Sequence, residues 1–492
     1  SSDFMKGLGL AGAGLGAVAA SQPVFHDVDE LSMSTGDRTT SQHSWYVKER
    51  EYYDYTSPVD WNLYQRYDLD KCKMPPGFAG NWRPERQAQA EEYRNIMKDD
   101  ILANKPGAQL RDWAMEQAVR SNAKVLPWTG DPNTRKPTYY GSDVPNWQGT
   151  PEDNLRTLQS AAHYFGSPQL GAMKLDEKSI KFFDVNGYDT NYAESMETAG
   201  SMVYRSVWDD TETPYIDENY VRHIPKSCSN IVTWIAAKEN SFQAQYAFRL
   251  DPDDPWYKHV YPMGYMTGEG YSKAWYIRST MQKFVNGLGY HAIWMGLGAG
   301  TSMNVAFGVG SGLTEESRPA LACSPYYGNM IRHIAVMVTD MPVAPTRPID
   351  AGIVKFCEVC NKCGEICPSG AVDIAKEQSY ETRCTGNNPG HKNWSIDWFK
   401  CKEWGGPFYC TNCQNACPFN NPAGGSIHNI VRGVAAQTNV FNGFFVSMDS
   451  AFGFAHERPA EERAGWWDRN LNTWHYDDMP GFGVRDYKSV MA

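Results

Sequence analysis

The sequence predicts an α+β fold into which a cysteine-rich domain is inserted. Three observations support this prediction. The middle third mixes helical and strand patterns, eight of the 12 cysteines form two groups between Cys357 and Cys417, and apolar stretches resume after Cys417. With 492 residues, of which 41% are hydrophobic, the chain is long enough for two or three domains with a buried core.

The middle third carries the helix and strand signals of the α+β part. Pro151–Asn154 resembles a helix start, and the residues that follow, up to Phe165, are amphipathic. Ile231–Ala237 is an apolar run typical of a strand. Ser272–Leu288 predicts a long helix that ends at Gly289, since glycine is common just past a helix end.

The charge balance disfavours a nucleic-acid-binding protein. Lys and Arg number 46 against 57 Asp and Glu, which gives a formal net charge of -11. No long basic block offsets this balance, and nucleic-acid affinity depends largely on clustered Lys and Arg.

The cysteine spacing predicts two iron–sulfur sites. The first group is Cys357-x2-Cys360-x2-Cys363-x3-Cys367-Pro368, the spacing of bacterial ferredoxins in which three thiolates hold one [4Fe–4S] cluster and the fourth reaches the other. The second group, Cys401-x8-Cys410-x2-Cys413-x3-Cys417-Pro418, is the same motif with a stretched first interval. By this exchange, one cluster is held by Cys357, Cys360, Cys363 and Cys417, and its neighbour by Cys367, Cys401, Cys410 and Cys413.

Disulfides and structural zinc are the alternatives for these cysteines. Zinc motifs use paired C-x2-C units rather than this run, and exported disulfide proteins rarely space their cysteines this way. The segment is therefore interpreted as a two-cluster, ferredoxin-like domain that moves single electrons. The four cysteines outside the two groups are predicted to be buried apolar residues: Cys72, Cys228, Cys323 and Cys384.

The N-terminus predicts an export signal. Residues 7–20 form an apolar run shorter than the roughly 20 residues that span a bilayer. Lys6 precedes this run, and Ala17-Val18-Ala19 supplies the small residues of a cleavage site. The opening, Ser1 to Lys6, resembles the end of a twin-arginine (Tat) signal, with serines where the arginines stand. That route carries prefolded proteins, which suits a protein that receives its clusters in the cytosol.

The chain is far larger than an electron carrier requires. A ferredoxin needs about a hundred residues or fewer, whereas some 350 precede the clusters here. This extra mass is expected to hold a second redox centre or a substrate. No flavin or nicotinamide loop is convincing, and no histidine stands in a D-x-H-x-x-G context that would hold a corrinoid.

The order of motifs resembles that of the respiratory reductive dehalogenases, the catalytic subunits that carry a corrinoid and iron–sulfur clusters. The resemblance runs nearly end to end and is strongest from residue 260 to 450. Its motifs are the F-M-K-G-L-G-L-A-G-A-G start, Gly149-Thr150-Pro151-Glu152-Asp153-Asn154, Phe284–Tyr290 as FVNGLGY, Gly312–Arg318 where the family has G-L-G-E-x-x-R, Tyr327-Gly328, Thr339-Asp340-Met341-Pro342, Pro348–Gly352, both cysteine groups, and Val440–Phe445.

The resemblance implies a function for the extra mass. The family binds a cobalamin-type corrinoid base-off in a nitroreductase-like α+β core, and the two clusters reduce it to cob(I)alamin. The cobalt then removes halogen from an organohalide. An aromatic-rich, aliphatic-lined pocket suits small chlorinated alkanes or alkenes, although ring compounds stay open.

The resemblance also implies a catalytic pair. The family's proton donor is a tyrosine, placed at Tyr271 just before the long helix, and its basic partner falls at Arg332, with Arg318 as the alternative cation. A free tyrosine has a pKa of about 10, and a neighbouring Arg⁺ stabilises tyrosinate. The position at which some members carry a helper asparagine falls on Leu297. Without the resemblance, Tyr271 and Arg332 would count as an ordinary aromatic and an ion-pair residue.

Two further features are candidate cofactor contacts. Trp404, inside the stretched cysteine interval, is expected to form a wall near the substrate entrance. Gly296, Gly298 and Gly300 open the glycine-rich run 296–312, where backbone without Cβ atoms can approach a large cofactor closely. Loop punctuation is an equal alternative for these glycines.

These interpretations divide the chain into five parts. Residues 342–356 contain three prolines and are expected to form a linker into the cysteine-rich segment. The predicted parts are an export signal remnant at 1–20, an irregular or helical N-terminal region at 21–149, the corrinoid- and substrate-binding core at 150–350, the two-cluster domain at 351–425, and a C-terminal segment packed on the core at 426–492.

Two competing functions stay open on the sequence alone. An enzyme of the epoxyqueuosine reductase type has a similar core and clusters but acts on tRNA, which the acidic charge and export-like start disfavour. A pure electron carrier would bind iron and no cobalt. The reductive dehalogenase interpretation predicts two partners, a small integral membrane anchor subunit and an upstream electron donor of the respiratory chain, and no nucleic-acid partner. It also predicts a location on the outer face of the cytoplasmic membrane. It leaves room for a homodimer.

Overall fold

The computed structural model describes most of the predicted core and cysteine-rich segment. The described residues are 47–66, 146–188, 203–238, 263–295, 303–405, 410–420 and 426–451, with single positions between 92 and 129 and residue 461. The export signal, most of the N-terminal region, Cys72, Gly296, Leu297, Gly298 and Gly300 lie outside them.

Strands and helices alternate irregularly along these residues. The strands are β1 Lys48–Glu49, β2 Leu170–Lys174, β3 Asn186–Tyr188, β4 Val203–Asp209, β5 Tyr215–Ile216, β6 Val221–Pro225, β7 Asn230–Lys238, β8 Ile293–Trp294, β9 Glu315–Glu316, β10 Ala322–Cys323, β11 Ile331–Thr339 and β12 Ile349–Asp350. The helices are α1 Pro151–Tyr164, α2 Met263–Gly287, α3 Asn304–Gly310, α4 Ile353–Cys357, α5 Lys362–Glu365, α6 Trp398–Gly405, α7 Asn412–Asn415, α8 Ser426–Gln437 and α9 Asn442–Ala451.

A four-stranded antiparallel sheet forms the centre of the core, in the order β2-β7-β11-β8. Side chains along β11 alternate between its two faces, as the pleat requires. Ala335 and Met337 pack in a hydrophobic cluster with α1 and α2, whereas Val336 and Val338 pack with α3 and the aromatic residues around Phe182 on the other side. The sheet is therefore buried on both faces, and the α+β prediction is confirmed.

Helix α1 begins where the sequence predicts. The Thr150 side chain accepts a hydrogen bond from the amide of Asp153 at 3.1 Å, and Pro151 occupies the first turn, where its missing N–H costs nothing. Leu155 and Leu158 are buried against the sheet. The cap and the apolar stripe together fix the start and the orientation of the helix.

Helix α2 is longer than predicted, because it begins at Met263 rather than at Ser272. Tyr271 therefore lies within the helix and not before it. Gly268 and Gly270 lower the helix propensity of this first part, which is why the pattern indicated a loop. Tertiary packing overrides that preference, since a Cβ added at Gly270 would lie 2.5 Å from the Cβ of Arg332 on β11.

Residues 342–356 are not a linker, and that prediction is wrong. Their amides bond to the core: Ala344 N donates to Pro151 O at 3.0 Å, and Thr346 N donates to Ala172 O at 2.8 Å. Strand β12 pairs with β1, so residues close to the N-terminal end of the described chain close over this segment. The prolines disfavour a helix between residues 342 and 348, but the amides of Ala344 and Thr346 are paired with α1 and β2.

The cysteine-rich segment has a hydrophobic core of its own that continues into α8 and α9. Ile353, Phe356 and Phe419 pack with Ala435 of α8 and Phe445 of α9. Gly352 has a φ of +76°, and a Cβ there would lie 2.1 Å from the Ala435 carbonyl oxygen, so only glycine allows α4 and α8 to approach this closely. The segment is thus packed on the C-terminal helices along a shared core.

Within the described part of the chain, no helix is both long enough and apolar enough to span a bilayer.

Candidate functional site

The sulfurs of the first predicted cluster site lie together in a buried pocket. Cys357 ends α4, Cys363 lies in α5, and Cys360 lies between them; all three are less than a tenth exposed. Burial raises the pKa of Cys357 and Cys360, and the nearby Cys417 sulfur raises the pKa of both further. Four thiolates this close repel one another unless cations lie between them. The donor set therefore fits an iron–sulfur cluster.

The second predicted set is grouped in the same way. Burial raises the pKa of Cys413, and the charges of Cys401, Cys410 and Cys367 raise it further. Cys413 also interacts electrostatically with Cys363, so the two sets are direct neighbours. The short helices α5 and α7 each carry one of these two cysteines at the second position, as expected for two copies of one motif. The ligand partition predicted from spacing stays a prediction, but the grouping of the sulfurs agrees with it.

Arg318 is hydrogen-bonded to the backbone of the first cysteine loop. It is fully buried, its Nε donates to the Cys360 carbonyl oxygen at 3.1 Å, and Nη2 donates to the Cys357 carbonyl oxygen. Nη1 donates to the Ala375 carbonyl oxygen at 2.6 Å, and the guanidinium carbon lies 4.4 Å from the centre of the Trp394 ring. The contacts of Arg318 thus all lie in the cysteine-rich segment, not beside Tyr271.

Glu315, three residues before Arg318 in the same motif, links the cysteine-rich segment to the core. Its buried carboxylate accepts hydrogen bonds from the amides of Ala351 at 2.7 Å and Ile353 at 3.3 Å, at the start of α4. Burial and the charge of Asp350 raise the pKa of Glu315 to about 7. The G-L-G-E-x-x-R motif thus serves to hold the cysteine loop.

Tyr271 and Arg332 are in contact. Arg332 Nη2 donates to the Tyr271 hydroxyl oxygen at 3.3 Å, and the guanidinium carbon lies 5.0 Å from the centre of the tyrosine ring. The other terminal nitrogen, Nη1, lies 3.5 Å from Oε1 of Gln414, the residue after Cys413. The pair therefore lies where the core meets the cluster segment. This proximity is a finding, whereas the catalytic role of either residue stays a prediction.

The residue after Arg332 is a neutral histidine. Burial and the charges of Arg332 and Arg278 lower the pKa of His333 to about 3. Its Nδ1 lies 3.3 Å from the side-chain amide nitrogen of Asn304, which must be the donor to the unprotonated ring nitrogen. Asn304 in turn lines a cavity.

That cavity, of about 430 Å³, lies between residues 55–64, α3 and the cysteine-rich segment. Polar groups in its wall form a network: His391 Nε2 lies 2.9 Å from Glu316 Oε2, and Asn393 Nδ2 donates to Glu316 Oε1 at 2.8 Å. Burial lowers the pKa of His391, but the charge of Glu316 and its hydrogen bond outweigh burial and raise it.

The groups that line the cavity suit the chemistry of a corrinoid, whose broad ring carries amide side arms. Aromatic and apolar surfaces come from Tyr64, Phe182 and Phe399, and side-chain amides come from Asn304 and the other asparagines of the wall. The full set of lining residues is Tyr55, Ser57, Val59, Tyr64, Phe182, Met303, Asn304, Val305, Ala306, Val309, Glu316, Ala320, Gly386, Asn387, Asn388, His391, Asn393, Trp398, Phe399 and Lys402.

The remaining candidate cofactor contacts are Trp404 and the glycine-rich run. Trp404 lies partly buried on α6, the helix whose Trp398, Phe399 and Lys402 line the cavity. In the described half of the glycine-rich run, a Cβ at Gly310 would lie 2.6 Å from the methyl carbon of Met173. This half therefore packs against the protein's own core.

Of the four cysteines outside the two groups, Cys228 and Cys323 are fully buried, as predicted, and Cys384 is partly exposed. Cys323 is more than a packing residue, because its thiol shares a hydrogen bond with the sulfur of Cys417. Sequence reasoning also missed Gln414, Asn304 and the pair Glu316–His391. No spacing signal marks them, since each meets its partner only through the fold.

A buried pair of thiolate sets, joined through Gln414 and Arg332 to a tyrosine of the core, defines an iron–sulfur oxidoreductase. Comparison with known proteins makes this class specific. Residues 356–420 match the family model of the 4Fe-4S double cluster binding domain. The chain is 31% identical over 521 residues to the chloroethene reductive dehalogenase of Dehalococcoides mccartyi strain VS, covering 96% of this chain and 97% of that one.

Other relatives agree. The trichloroethene reductive dehalogenase of Dehalococcoides mccartyi strain ATCC BAA-2266 / KCTC 15142 / 195 is 30% identical, covering 94% of this chain and 95% of that one. Among solved structures, the catabolic reductive dehalogenase NpRdhA superposes with a TM-score of 0.56 at 16% identity, covering 85% of this chain and 50% of that one. The chain thus spans about half the length of that structure, and the likeness concerns the fold.

The chain belongs to the reductive dehalogenase family, oxidoreductases that act on carbon–halogen bonds. The fold-class prediction, a nitroreductase-like α+β core with an inserted ferredoxin-like domain, is confirmed.

Proposed function

We propose that this protein removes halogen from a small chlorinated alkane or alkene in organohalide respiration. Electrons would pass through two [4Fe–4S] clusters to a corrinoid bound base-off in the core. The relatives of nearly equal length are named for chloroethene and trichloroethene, which supports a small chlorinated substrate. The reaction consumes two electrons and one proton: the carbon–halogen bond breaks, a carbon–hydrogen bond forms, and halide leaves.

The observation that carries the proposal is the contact of Tyr271 with Arg332 at the boundary of core and cluster segment. A guanidinium only donates, so the tyrosine oxygen accepts from Arg332 and its own proton is free to point elsewhere. Arg332 also supplies a fixed positive charge that stabilises the tyrosinate left when the proton moves to carbon. Tyr271 would therefore donate the proton, and Arg332 would position the tyrosine hydroxyl and stabilise the negative charge left on its oxygen.

The cysteine sets would supply the electrons. Cys363 of the first set and Cys413 of the second lie close enough to interact, so the two clusters would be adjacent. Gln414 follows Cys413 and contacts Arg332, which brings the second set close to the tyrosine. When bound, the corrinoid would supply the strongly reducing cobalt that attacks the carbon–halogen bond. Asn304 and the asparagines of the cavity wall would hold its amide arms.

Metal analysis and turnover test the proposal together. Protein purified without oxygen is expected to contain about one cobalt and eight irons per chain, as one corrinoid and two four-iron clusters require. With a reduced viologen as electron donor, it is expected to release chloride from chlorinated ethenes. Eight irons with no cobalt, even after reconstitution with corrinoid, would leave a pure electron carrier. One cobalt with no chloride release from any organohalide would exclude dehalogenation and leave another corrinoid reaction.

We also propose that the protein is exported by a Tat-like route and lies on the outer face of the cytoplasmic membrane. The export-like residues at the N-terminus support this, as does the need to move a protein that already holds its clusters. A small integral membrane subunit would anchor it, and a respiratory donor would feed it. Protease added to intact cells is expected to degrade it without lysis; protection until lysis would contradict the location.

A further inference from the structure

We propose that Cys228, His291 and Asp340 form a binding site for a divalent transition-metal ion such as Zn²⁺, separate from the clusters. One ligand atom from each side chain lies within 4.8 Å of the other two. Asp340 follows β11, whereas Arg332 lies at its beginning. The two ends of this strand are about 26 Å apart at roughly 3.3 Å per residue. The site therefore lies at the opposite end of the central sheet from Tyr271.

The three side chains come from three separate parts of the chain. Cys228 lies in the turn between β6 and β7, and its amide donates to the Pro225 carbonyl oxygen at 2.9 Å. His291 lies in the loop between α2 and β8. Zinc bonds to nitrogen, oxygen and sulfur are about 2.0–2.3 Å long, so ligand atoms around one zinc ion lie roughly 3–4 Å apart. Because the three ligand atoms already lie within 4.8 Å of one another, small side-chain rotations would bring them to that spacing.

The imidazole and carboxylate are already oriented toward each other. Asp340 Oδ1 accepts a hydrogen bond from the His291 amide at 2.8 Å, and Oδ2 lies 2.9 Å from His291 Nδ1. Because a carboxylate only accepts, Nδ1 donates the proton of this hydrogen bond. A cation would replace the Nδ1 proton, so that this nitrogen, the Asp340 carboxylate and the Cys228 sulfur all bind it.

The thiol completes a donor set that suits zinc. Cys228 is fully buried, whereas the side chains of His291 and Asp340 are 21% and 24% exposed, so an ion can reach the site from solvent. Burial and the Asp340 charge raise the pKa of Cys228 to about 12, which keeps the thiol protonated until a cation displaces its proton. Thiolate, imidazole and carboxylate together select a borderline-soft ion, and a water would fill the fourth position.

A bound ion would have a structural role. It would join the β6–β7 turn, the loop after the longest described helix and the end of β11 at one point. The site would stabilise this end of the sheet and leave the chemistry at the other end unchanged.

Zinc analysis of the iron-loaded, full-length protein tests the inference, because filled cluster sites cannot accept zinc. After one equivalent of Zn²⁺ and desalting, about one zinc per chain is expected beside the iron. Zinc X-ray absorption, which is blind to iron and cobalt, is expected to show one sulfur and otherwise nitrogen or oxygen neighbours. Cys228→Ala and His291→Gln should each lose the zinc and keep the iron. Cys384→Ala, a change at a cysteine outside both cluster sets, should keep both metals.

Three results would overturn the inference. The first is an iron-loaded wild-type protein that retains no zinc, which would leave an ordinary His–Asp hydrogen bond beside a buried thiol. The second is retention of zinc by both variants. The third is an absorption spectrum with four sulfur neighbours, which would place the zinc in a cluster site. Because the wild-type measurement stands by itself, the test holds even if Cys228→Ala does not fold.

Discussion

The hydroxyl of Tyr271, the proposed proton donor, lies beside a fixed cation. Arg332 reaches it from β11 and reaches Gln414 with its other terminal nitrogen, so the guanidinium connects the core with the cluster segment. A proton donor held in this way needs no rearrangement when charge develops on its oxygen, which is the advantage of a preorganised site.

Replacing Tyr271 with phenylalanine tests this role. Tyr271→Phe removes the hydroxyl and leaves the ring, so the dehalogenation rate is expected to fall about 10²–10⁴-fold while cobalt and iron contents stay unchanged. Chloride release from a chlorinated ethene under reducing conditions measures the effect. The matched control is Tyr276→Phe, on the exposed side of the same helix, which should retain the wild-type rate. A variant at Tyr271 with normal turnover would assign the proton to another group.

The ion pair between Glu316 and His391 in the cavity wall should make the stability of the protein depend on pH. Glu316 raises the pKa of His391 in the folded protein, so the charged pair stabilises the fold fully below the ordinary histidine pKa of about 6.5. This contribution is lost as the pH rises through the folded-state pKa. Glu316→Gln is therefore expected to lower the free energy of unfolding by roughly 1–3 kcal/mol at low pH and by less at high pH.

Melting temperatures of wild type and variant between pH 6 and 9 measure this difference. Glu377→Gln, at an exposed position, should leave the melting temperature unchanged throughout. A gap between wild type and Glu316→Gln that widens with rising pH would contradict the ion pair.

The functional side chains differ in how far sequence reveals them. The eight cysteines follow from spacing, because a cluster is bound by a short loop whose geometry is local. Tyr271 and Arg332 follow only from resemblance, since one lies on a helix and the other on a strand. Glu316 and His391 had no local signal, because they meet through a contact between two regions distant in sequence.

Among the elements, α2 passes close to β11 at Gly270. The backbone there faces the Arg332 side chain, and any Cβ would be 2.5 Å from the Cβ of Arg332. The helix would have to move away from the strand, and the contact of Tyr271 with Arg332 would lengthen. The same glycine lowers helix propensity, which explains why sequence reasoning began the helix too late.

Gly270→Ala is therefore expected to reduce stability by about 1–3 kcal/mol through overpacking and to reduce turnover as well. The matched control is Gly443→Ala in α9, where a Cβ meets nothing within 4 Å. That change should be neutral or stabilise by up to about 1 kcal/mol, because alanine favours the helix. Thermal unfolding of the two variants compares them directly, and equal effects would show that helix propensity, not packing, governs the site.

Regular elements with a local pattern were predictable, and irregular segments were not. The cap and apolar stripe of α1 and the apolar run of β7 gave their positions nearly to the residue. Composition predicts a linker for the proline-rich stretch 342–356, because prolines argue against a helix. Composition does not report burial, and this stretch is held by hydrogen bonds to residues almost two hundred positions earlier.

For the molecule as a whole, the two hydrophobic cores predict different responses to loss of iron. Cys357, Cys360 and Cys417 lie in the hydrophobic cluster that α4, α8 and α9 share, and most of the other cluster cysteines lie in a smaller cluster around Ile396 of the same segment. The central sheet instead packs with α1, α2 and α3. Metal ligands contribute folding free energy when the site exists only in the folded state. Removal of iron is expected to raise amide hydrogen exchange in residues 353–420 and 426–445, while β7 and β11 stay protected.

Hydrogen-exchange mass spectrometry of protein with and without iron measures this pattern. Equal loss of protection across the central sheet would show that the two cores unfold as one unit.

The support that Arg318 and Glu315 give to the cysteine loop limits how members of this family can be recombined. Arg318 and Glu315, which precede the loop by some forty positions, bond to its backbone and to the start of α4. Ala435, which follows the loop, packs against Gly352. A chimera that exchanged only residues 356–420 would join a foreign loop to a native support. Productive crossovers should instead fall before Gly312 and after α9, so that motif, loop and covering helices are inherited together.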